Sequence, residues 1–265
     1  MIDYQGTTIL VTGGGSGIGR ALAQAFAARG ARVIVADRNA AGAAESAALC
    51  GAGAVAITTD LAQPEAAANL VRDAYAVSGR LDLIASNAGI GHNRRLLKAN
   101  LDDASVAKLF EINLFAALRL AQAYVAQLEA RGARGRFIIT GSENSLSVPA
   151  AVKGFGLGLY AATKHAVLIL AEWLRDEMAG GNKPLDVHIL LPGGVYTPLV
   201  AGNLAPDPAT WPAEMAMILP ERCAQIALAG LDAGLFYIPT HAHLAPDMQP
   251  RHDAVAAALK TLGLT

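Results

Sequence analysis

The chain has 265 residues, 53% of them hydrophobic and 16% charged, with a formal net charge of −1. This composition excludes a disordered chain, which needs low hydrophobicity and high net charge, and leaves no basic field to hold a nucleic-acid backbone. Charged residues usually make up about 25% of a chain, so more surface is covered than a monomer needs and an oligomer is expected. Cys50 and Cys223 are the only cysteines, too few for a disulfide framework or a zinc site. A reducing compartment, the cytoplasm, is the expected home. No charge-free apolar run reaches the roughly 18 residues of a membrane span, and Met1 to Gln5 does not begin a secretory signal. One domain over residues 1–265 is expected, because α/β folds run to roughly 250 residues as a unit.

Short apolar runs alternate with longer alanine-rich helical stretches. Thr7–Val11 reads as a buried strand, and Gly17–Arg29 as a helix with Ile18, Leu22, Ala25 and Phe26 on one face. Strand Arg32–Ala36, helix Ala40–Cys50, strand Ala54–Thr58, helix Pro64–Val77 and strand Leu81–Ala85 follow. Asp102–Arg131 reads as one long helix, then strand Arg136–Thr140, helix Gly158–Ala179 and strand Leu185–Leu191. Helix Glu221–Asp232 and a short strand Leu235–Ile238 close the pattern, leaving 239–265 as a C-terminal extension. Continuously apolar strands alternating with helices predict a seven-stranded, doubly wound parallel sheet covered on both faces.

The first strand leads into Thr12-Gly13-Gly14-Gly15-Ser16-Gly17-Ile18-Gly19. Between a strand and a helix such a loop lets the backbone approach a diphosphate, and the helix N-terminus faces the phosphates. Gly13, Gly15, Ser16, Gly17, Ile18 and Gly19 are therefore candidate cofactor contacts. Asp37 ends the second strand, 18 residues past Gly19. A carboxylate there accepts hydrogen bonds from a ribose diol and repels a 2′-phosphate, favouring NAD over NADP. Arg38 points the other way, since a nearby arginine accommodates a 2′-phosphate. Asp37 is also a candidate N-cap for the next helix.

Thr12-Gly13-x-x-x-Gly17-x-Gly19, Asp60, Asn87-Ala88-Gly89, Asn113, Ser142, Tyr160-x-x-x-Lys164 and Pro192-Gly193 occur in this order. The ordered set resembles the short-chain dehydrogenase/reductase family in its single-domain form, from roughly Thr7 to Ile238. Tyr160 and Lys164 lie four apart and share a helix face. A phenol titrates near ~10, and a nearby ammonium favours the phenolate. Tyr160 then exchanges a proton with an alcohol or ketone oxygen as hydride moves to or from a nicotinamide.

The resemblance implies that Lys164 also holds the nicotinamide ribose, that Ser142 orients the substrate oxygen, and that Asn113 anchors a proton-relay water. It implies adenine contacts at Asp60 and Leu61, and an Asn87-Ala88-Gly89 turn that stabilises the sheet beside the adenosine ribose. The family commonly has an asparagine where this chain has Ser86. Contacts with the carboxamide are implied at Pro192, Gly193, Val195 and Thr197. The expected activity is NAD-dependent interconversion of a secondary alcohol and a ketone. The alternative is a cofactor-sensing regulator or scaffold on the same fold, but such relatives usually lose the tyrosine or lysine.

Ser142 and Tyr160 are 18 residues apart, a longer span than family members usually show. The extended loop 143–159 is expected to wall a large apolar pocket with Leu146, Val148 and Phe155, or else to pack on a partner subunit. The lid 196–220 faces it with Tyr196, Leu199, Trp211, Met215 and Met217. Such walls suit a bulky aryl or alicyclic alcohol. Arg94, Arg95 and Lys98 at the rim read as a solvated cluster rather than a receptor for an acidic substrate. His241 and His243 read as loop or interface residues, and no metal is expected. The apolar outer positions Phe115, Leu118, Ile169 and Trp173 place a homotetramer or homodimer interface on helices 102–131 and 158–179.

Overall fold

The computed structural model describes residues 2–181, 183–202 and 204–264. Seven strands form one parallel sheet in the order β3-β2-β1-β4-β5-β6-β7. They are β1 Thr8–Thr12, β2 Arg32–Asp37, β3 Val55–Thr58, β4 Leu83–Ser86, β5 Gly135–Thr140, β6 Leu185–Leu191 and β7 Tyr237–Pro239. This is the expected doubly wound, Rossmann-like single domain. The order reverses between β1 and β4, and in such sheets that switch point opens a crevice at the strands' carboxyl ends.

Both sheet faces are buried, which is why the central strands are apolar throughout. On one face Leu10, Ile34, Ile84, Phe137 and Ile189 pack against α3 (Ala66–Ser78), α5 (Ala116–Arg131) and α6 (Gly158–Gly180). On the other, Ile9, Val11, Val33, Val35 and Ile138 pack against α1 (Gly17–Ala28), α2 (Ala40–Leu49) and α8 (Pro220–Asp232). Successive strand residues alternate between the two cores, as the period of two requires. Burying a side chain such as Phe26 or Phe137 contributes roughly 1.5–3 kcal/mol.

Three local differences from the sequence pattern bear on the site. The segment read as one helix from Asp102 consists of α4 (Ala104–Phe110), a π-helical turn at Glu111–Phe115, and α5. Asn113 sits in that turn, and π turns inside helices gather at functional positions. The lid holds a short helix, α7 (Pro198–Ala201), and a parallel bridge between Val195 and Ile218. The C-terminal extension is a helix, α9 (Leu244–Thr261), despite two internal prolines. Pro246 lies in the first turn, where its missing N–H costs nothing. Only Pro250 interrupts the ladder, and from there to Leu264 the described residues are exposed.

Candidate active site

The glycine loop is closed by sterics at two positions. Gly13 has φ +62°, and a Cβ there would stand 2.8 Å from the Ala88 backbone. At Gly19 a Cβ would stand 2.1 Å from the Gly13 carbonyl oxygen. Loop and α1 therefore pack more tightly than any side chain permits. Ser16 precedes α1 without a side-chain capping bond, and the first turn carries no acidic residue. The first amides of α1 are left to an external anion.

Asp37 is held at the cleft edge. Its carboxylate accepts from the amides of Gly15 and Asn39, both at 2.9 Å. The N-cap of α2 is Asn39, whose side chain accepts from the Gly42 amide, so Asp37 does not cap that helix. Asp37, Arg38, Asp60, Leu61, Ala88, Gly89 and Ile112 line a recess. Asn87 is a clamp. Its amide group donates to the Thr12 carbonyl at 3.2 Å and accepts from the Thr140 hydroxyl at 3.2 Å. Three strands are thereby locked at the crevice floor.

The main cleft is an open groove of about 490 Å³. It runs from Ser16, Ile18 and Asp37 past Asn87 and Gly89 to Ser142, Tyr160 and Lys164, with Pro192, Gly193, Val195 and Thr197 on the opposite side. Gly17 faces Thr197, whose methyl lies 3.0 Å from where a Gly17 side chain would begin. Of the four residues expected to carry chemistry, Ser142, Tyr160 and Lys164 line the cleft, while Asn113 is buried behind Gly89 and Ile90. Lys164 is 4% exposed, and its Nζ donates to the Thr140 carbonyl at 2.8 Å. Burial pulls its pKa down to about 8. Burial pushes the Tyr160 phenol up to about 12, opposed by a hydrogen bond with Ser142 and aided by the charge of Glu143.

Ser142 and Asn113 are held by partners that the sequence did not point out. The Ser142 Oγ accepts from the Asn144 amide at 3.2 Å and from the Asn144 side chain at 3.4 Å. With its lone pairs engaged, the hydroxyl proton is left to donate into the cleft. The Asn113 side chain accepts from the Ile90 amide at 2.8 Å and donates to the Ile90 carbonyl at 3.0 Å. It also donates to the Thr163 hydroxyl, which donates to the Tyr160 carbonyl. The signal for Asn144 was the polar run Glu143-Asn144-Ser145 after a strand, buried throughout. Thr163 carried no signal beyond its place between Tyr160 and Lys164.

The expected pocket walls are placed unevenly. Leu199 lines the cleft. Tyr196 and Trp211 stack with ring centres 4.8 Å apart, and Met215 packs its backbone on Gly194. The loop turn Ala150–Val152 meets the lid turn Ala213–Met215, so the two walls touch. Val148 and Phe155 are exposed. Leu146 does not face the cleft but lines a separate groove with Leu191, Tyr237 and Met248. His241 accepts from the Gly193 amide at 3.1 Å and reaches the Ala216 carbonyl at 2.9 Å, stapling the turn after β6 to the lid. Among the described residues no cluster of three or more His, Cys, Asp or Glu is arranged to hold a metal. No helix among them is long and apolar enough to cross a membrane.

Comparison with known proteins agrees with this geometry. The chain is 35% identical over 246 residues to 1-deoxy-11-beta-hydroxypentalenate dehydrogenase of Streptomyces avermitilis, covering 91% of this chain and 87% of that one. It is 33% identical over 205 residues to 2,5-dichloro-2,5-cyclohexadiene-1,4-diol dehydrogenase of Sphingobium indicum, covering 76% and 77%. A short chain dehydrogenase/reductase from Burkholderia phymatum, solved in complex with NAD, superposes with a TM-score of 0.83 at 21% identity over 97% of both chains. The family model described as short chain dehydrogenase matches residues 7–207, and the chain belongs to that family of oxidoreductases.

Proposed function

We propose that this chain is an NAD-dependent oxidoreductase that interconverts a bulky cyclic secondary alcohol and its ketone. The observation that carries the reading is the convergence of Ser142, Tyr160 and Lys164 at the inner end of the cleft. The donor set fits a nicotinamide dinucleotide, with free amides at the start of α1 for the diphosphate and the Asp37 carboxylate for the ribose diol. Gly13, Gly15, Ser16, Gly17, Ile18 and Gly19 cradle the diphosphate, and Asp60 and Leu61 flank the adenine. Asn87, Ala88 and Gly89 border the adenosine ribose. Pro192, Gly193, Val195 and Thr197 meet the carboxamide. Bound there, the dinucleotide supplies hydride exchange with the carbinol carbon.

The chain's own residues move the proton. The Ser142 hydroxyl donates to the substrate oxygen and fixes it beside Tyr160. Tyr160 gives its proton to a ketone oxygen, or takes one from an alcohol. Lys164 stabilises the phenolate and binds ribose hydroxyls, and Asn113 anchors the water that returns protons to it. Asp37 favours NAD, because a 2′-phosphate would meet a carboxylate already fixed by two amides.

The contact between loop 143–159 and the lid supports a roomy, partly apolar substrate space bordered by Leu199, Tyr196, Trp211 and Met215. Phe115, in the turn before α5, is 44% exposed, and Ile169 and Trp173, on α6, are 51% and 64% exposed. That supports a homodimer or homotetramer built on those helices. The test is NAD reduction, followed spectrophotometrically, with 1-indanol, 1-tetralol and cyclohexanol, repeated with NADP. Turnover with NAD supports the reading; cofactor binding without turnover across the panel opposes it.

A further inference from the structure

His241 follows β7, is half-buried, and joins two turns that are distant in the chain. Its Nδ1 lies 3.1 Å from the Gly193 amide nitrogen, and its Nε2 lies 2.9 Å from the Ala216 carbonyl oxygen. Neither partner can change its role, because an amide only donates and a carbonyl only accepts. The ring is therefore neutral, with its proton on Nε2 and a bare lone pair on Nδ1. Gly193 lies close against it, since a side chain there would begin 2.8 Å from the imidazole.

The Ala216 end of this link is strained. Among the described residues Ala216 is the one non-glycine with a positive φ, +44°, a left-handed backbone that alanine avoids. It sits where the lid turns back onto the segment after β6. A side chain on Gly194 would begin 2.7 Å from the Met215 carbonyl oxygen and from the Met217 sulfur, and the Ile218 amide donates to the Gly194 carbonyl at 3.0 Å. Strained backbone persists only where its surroundings hold it, and His241 holds this one by its carbonyl.

The charged and titratable neighbours of His241 come from four elements. His243, before α9, has its ring centre 5.2 Å away. Glu143, after β5, is engaged by His243 Nε2 at 2.7 Å. Glu172 of α6, bonded to Tyr237 of β7, lines the same groove as His241. Glu214 lies in the lid turn and is exposed. Burial lowers the His241 pKa, with the Ala216 bond opposing. A proton on Nδ1 would face the N–H of Gly193, and only the Thr240 hydroxyl, 2.6 Å away, could accept from it. The Gly193 amide would lose its acceptor.

We propose that His241 is a positioning residue for the lid: neutral, it fastens the lid to the turn 192–195, and protonated, it lets the lid go. That this turn meets the carboxamide of the dinucleotide rests on the function proposed above; the latch itself does not.

The experiment follows Trp211 fluorescence from about pH 8 to about pH 5, the range in which histidine changes charge. The full chain carries Trp173→Phe, which leaves Trp211, stacked on Tyr196 in the lid, as its only tryptophan. A single transition is expected below the ordinary histidine value of 6.5. His241→Gln keeps an acceptor and a donor but cannot titrate, and should hold the signal at its starting value throughout. His241→Phe keeps a ring without either bond and should show the released signal at every pH. His243→Gln should leave the transition in place. A flat signal with His241 present, a transition that survives in His241→Gln, or one that vanishes in His243→Gln overturns the proposal. NAD affinity, measured separately, should fall below the midpoint by up to about tenfold per pH unit, the limit for one linked proton, and stay level in His241→Gln. A fluorescence transition with no change in NAD affinity overturns the positioning role. If NAD binds at no pH, the cofactor reading falls, and the latch is still judged by the fluorescence.

Discussion

The Lys164 ammonium lies 5.7 Å from the centre of the Tyr160 ring, one helical turn along α6, and is tied to the Thr140 carbonyl. A lysine so buried is harder to protonate in the folded chain than in the unfolded one. Between pH about 8 and 10.5 the unfolded chain holds a proton that the folded chain has released. Stability from this group therefore rises with pH across that window and is at its lowest below it. Lys164→Met should lose turnover by two orders of magnitude or more (~10²–10⁴ is typical of a general acid–base assembly). It should also gain stability relative to the unaltered chain at neutral pH, by roughly 3 kcal/mol at the upper end. That gain should shrink as the pH approaches the upper edge of the window. Denaturant unfolding at several pH values checks the sign.

Asp37 is fixed by the Gly15 and Asn39 amides, with Arg38 beside it in the cleft. Replacing Asp37 by Ala removes the ribose acceptor and leaves Arg38 to meet a 2′-phosphate. The NAD-over-NADP ratio of kcat/KM should fall by about 10- to 100-fold, the worth of a charge-assisted hydrogen bond. An unchanged ratio would show that cofactor choice is made elsewhere.

Trp173 is 64% exposed on α6, one turn from the exposed Ile169. A charge at its position should block association through this face, so Trp173→Glu should lower the mass found by light scattering. An unchanged mass would move the interface to another surface.

The turn Ala150–Val152 touches the lid at Ala213–Met215. Deleting residues 150–154 should separate the walls and change the ranking of 1-indanol against cyclohexanol by kcat/KM. A preserved ranking would leave the insertion with no part in substrate choice.

The sequence disclosed the sheet because its signals are local. Each buried strand is an apolar run, and the Gly13–Gly19 loop, Asp37 and the Tyr160–Lys164 spacing are short-range patterns. The supports of the site are long-range and left no such trace. Asn113 depends on Ile90 and Thr163, 23 and 50 residues away. Glu143 meets His243 a hundred residues on. The π turn at Glu111–Phe115 has no periodic signature beyond an asparagine in a helical pattern. Helix α9 falls in the stretch that the sequence pattern reads only as an unassigned extension; it contains Pro246, harmless in the first turn, and Pro250, which interrupts the ladder. Leu146 shows the limit of reading a wall from composition: being apolar and next to the site did not make it face the cleft, because α9 offered another surface to cover it.

The most direct test of the account is NAD reduction with 1-indanol by the unaltered chain and by Tyr160→Phe, with cofactor affinity measured alongside. The account predicts that the variant binds NAD as well as the unaltered chain and loses turnover by ~10²–10⁴-fold. Full turnover in the variant would contradict it.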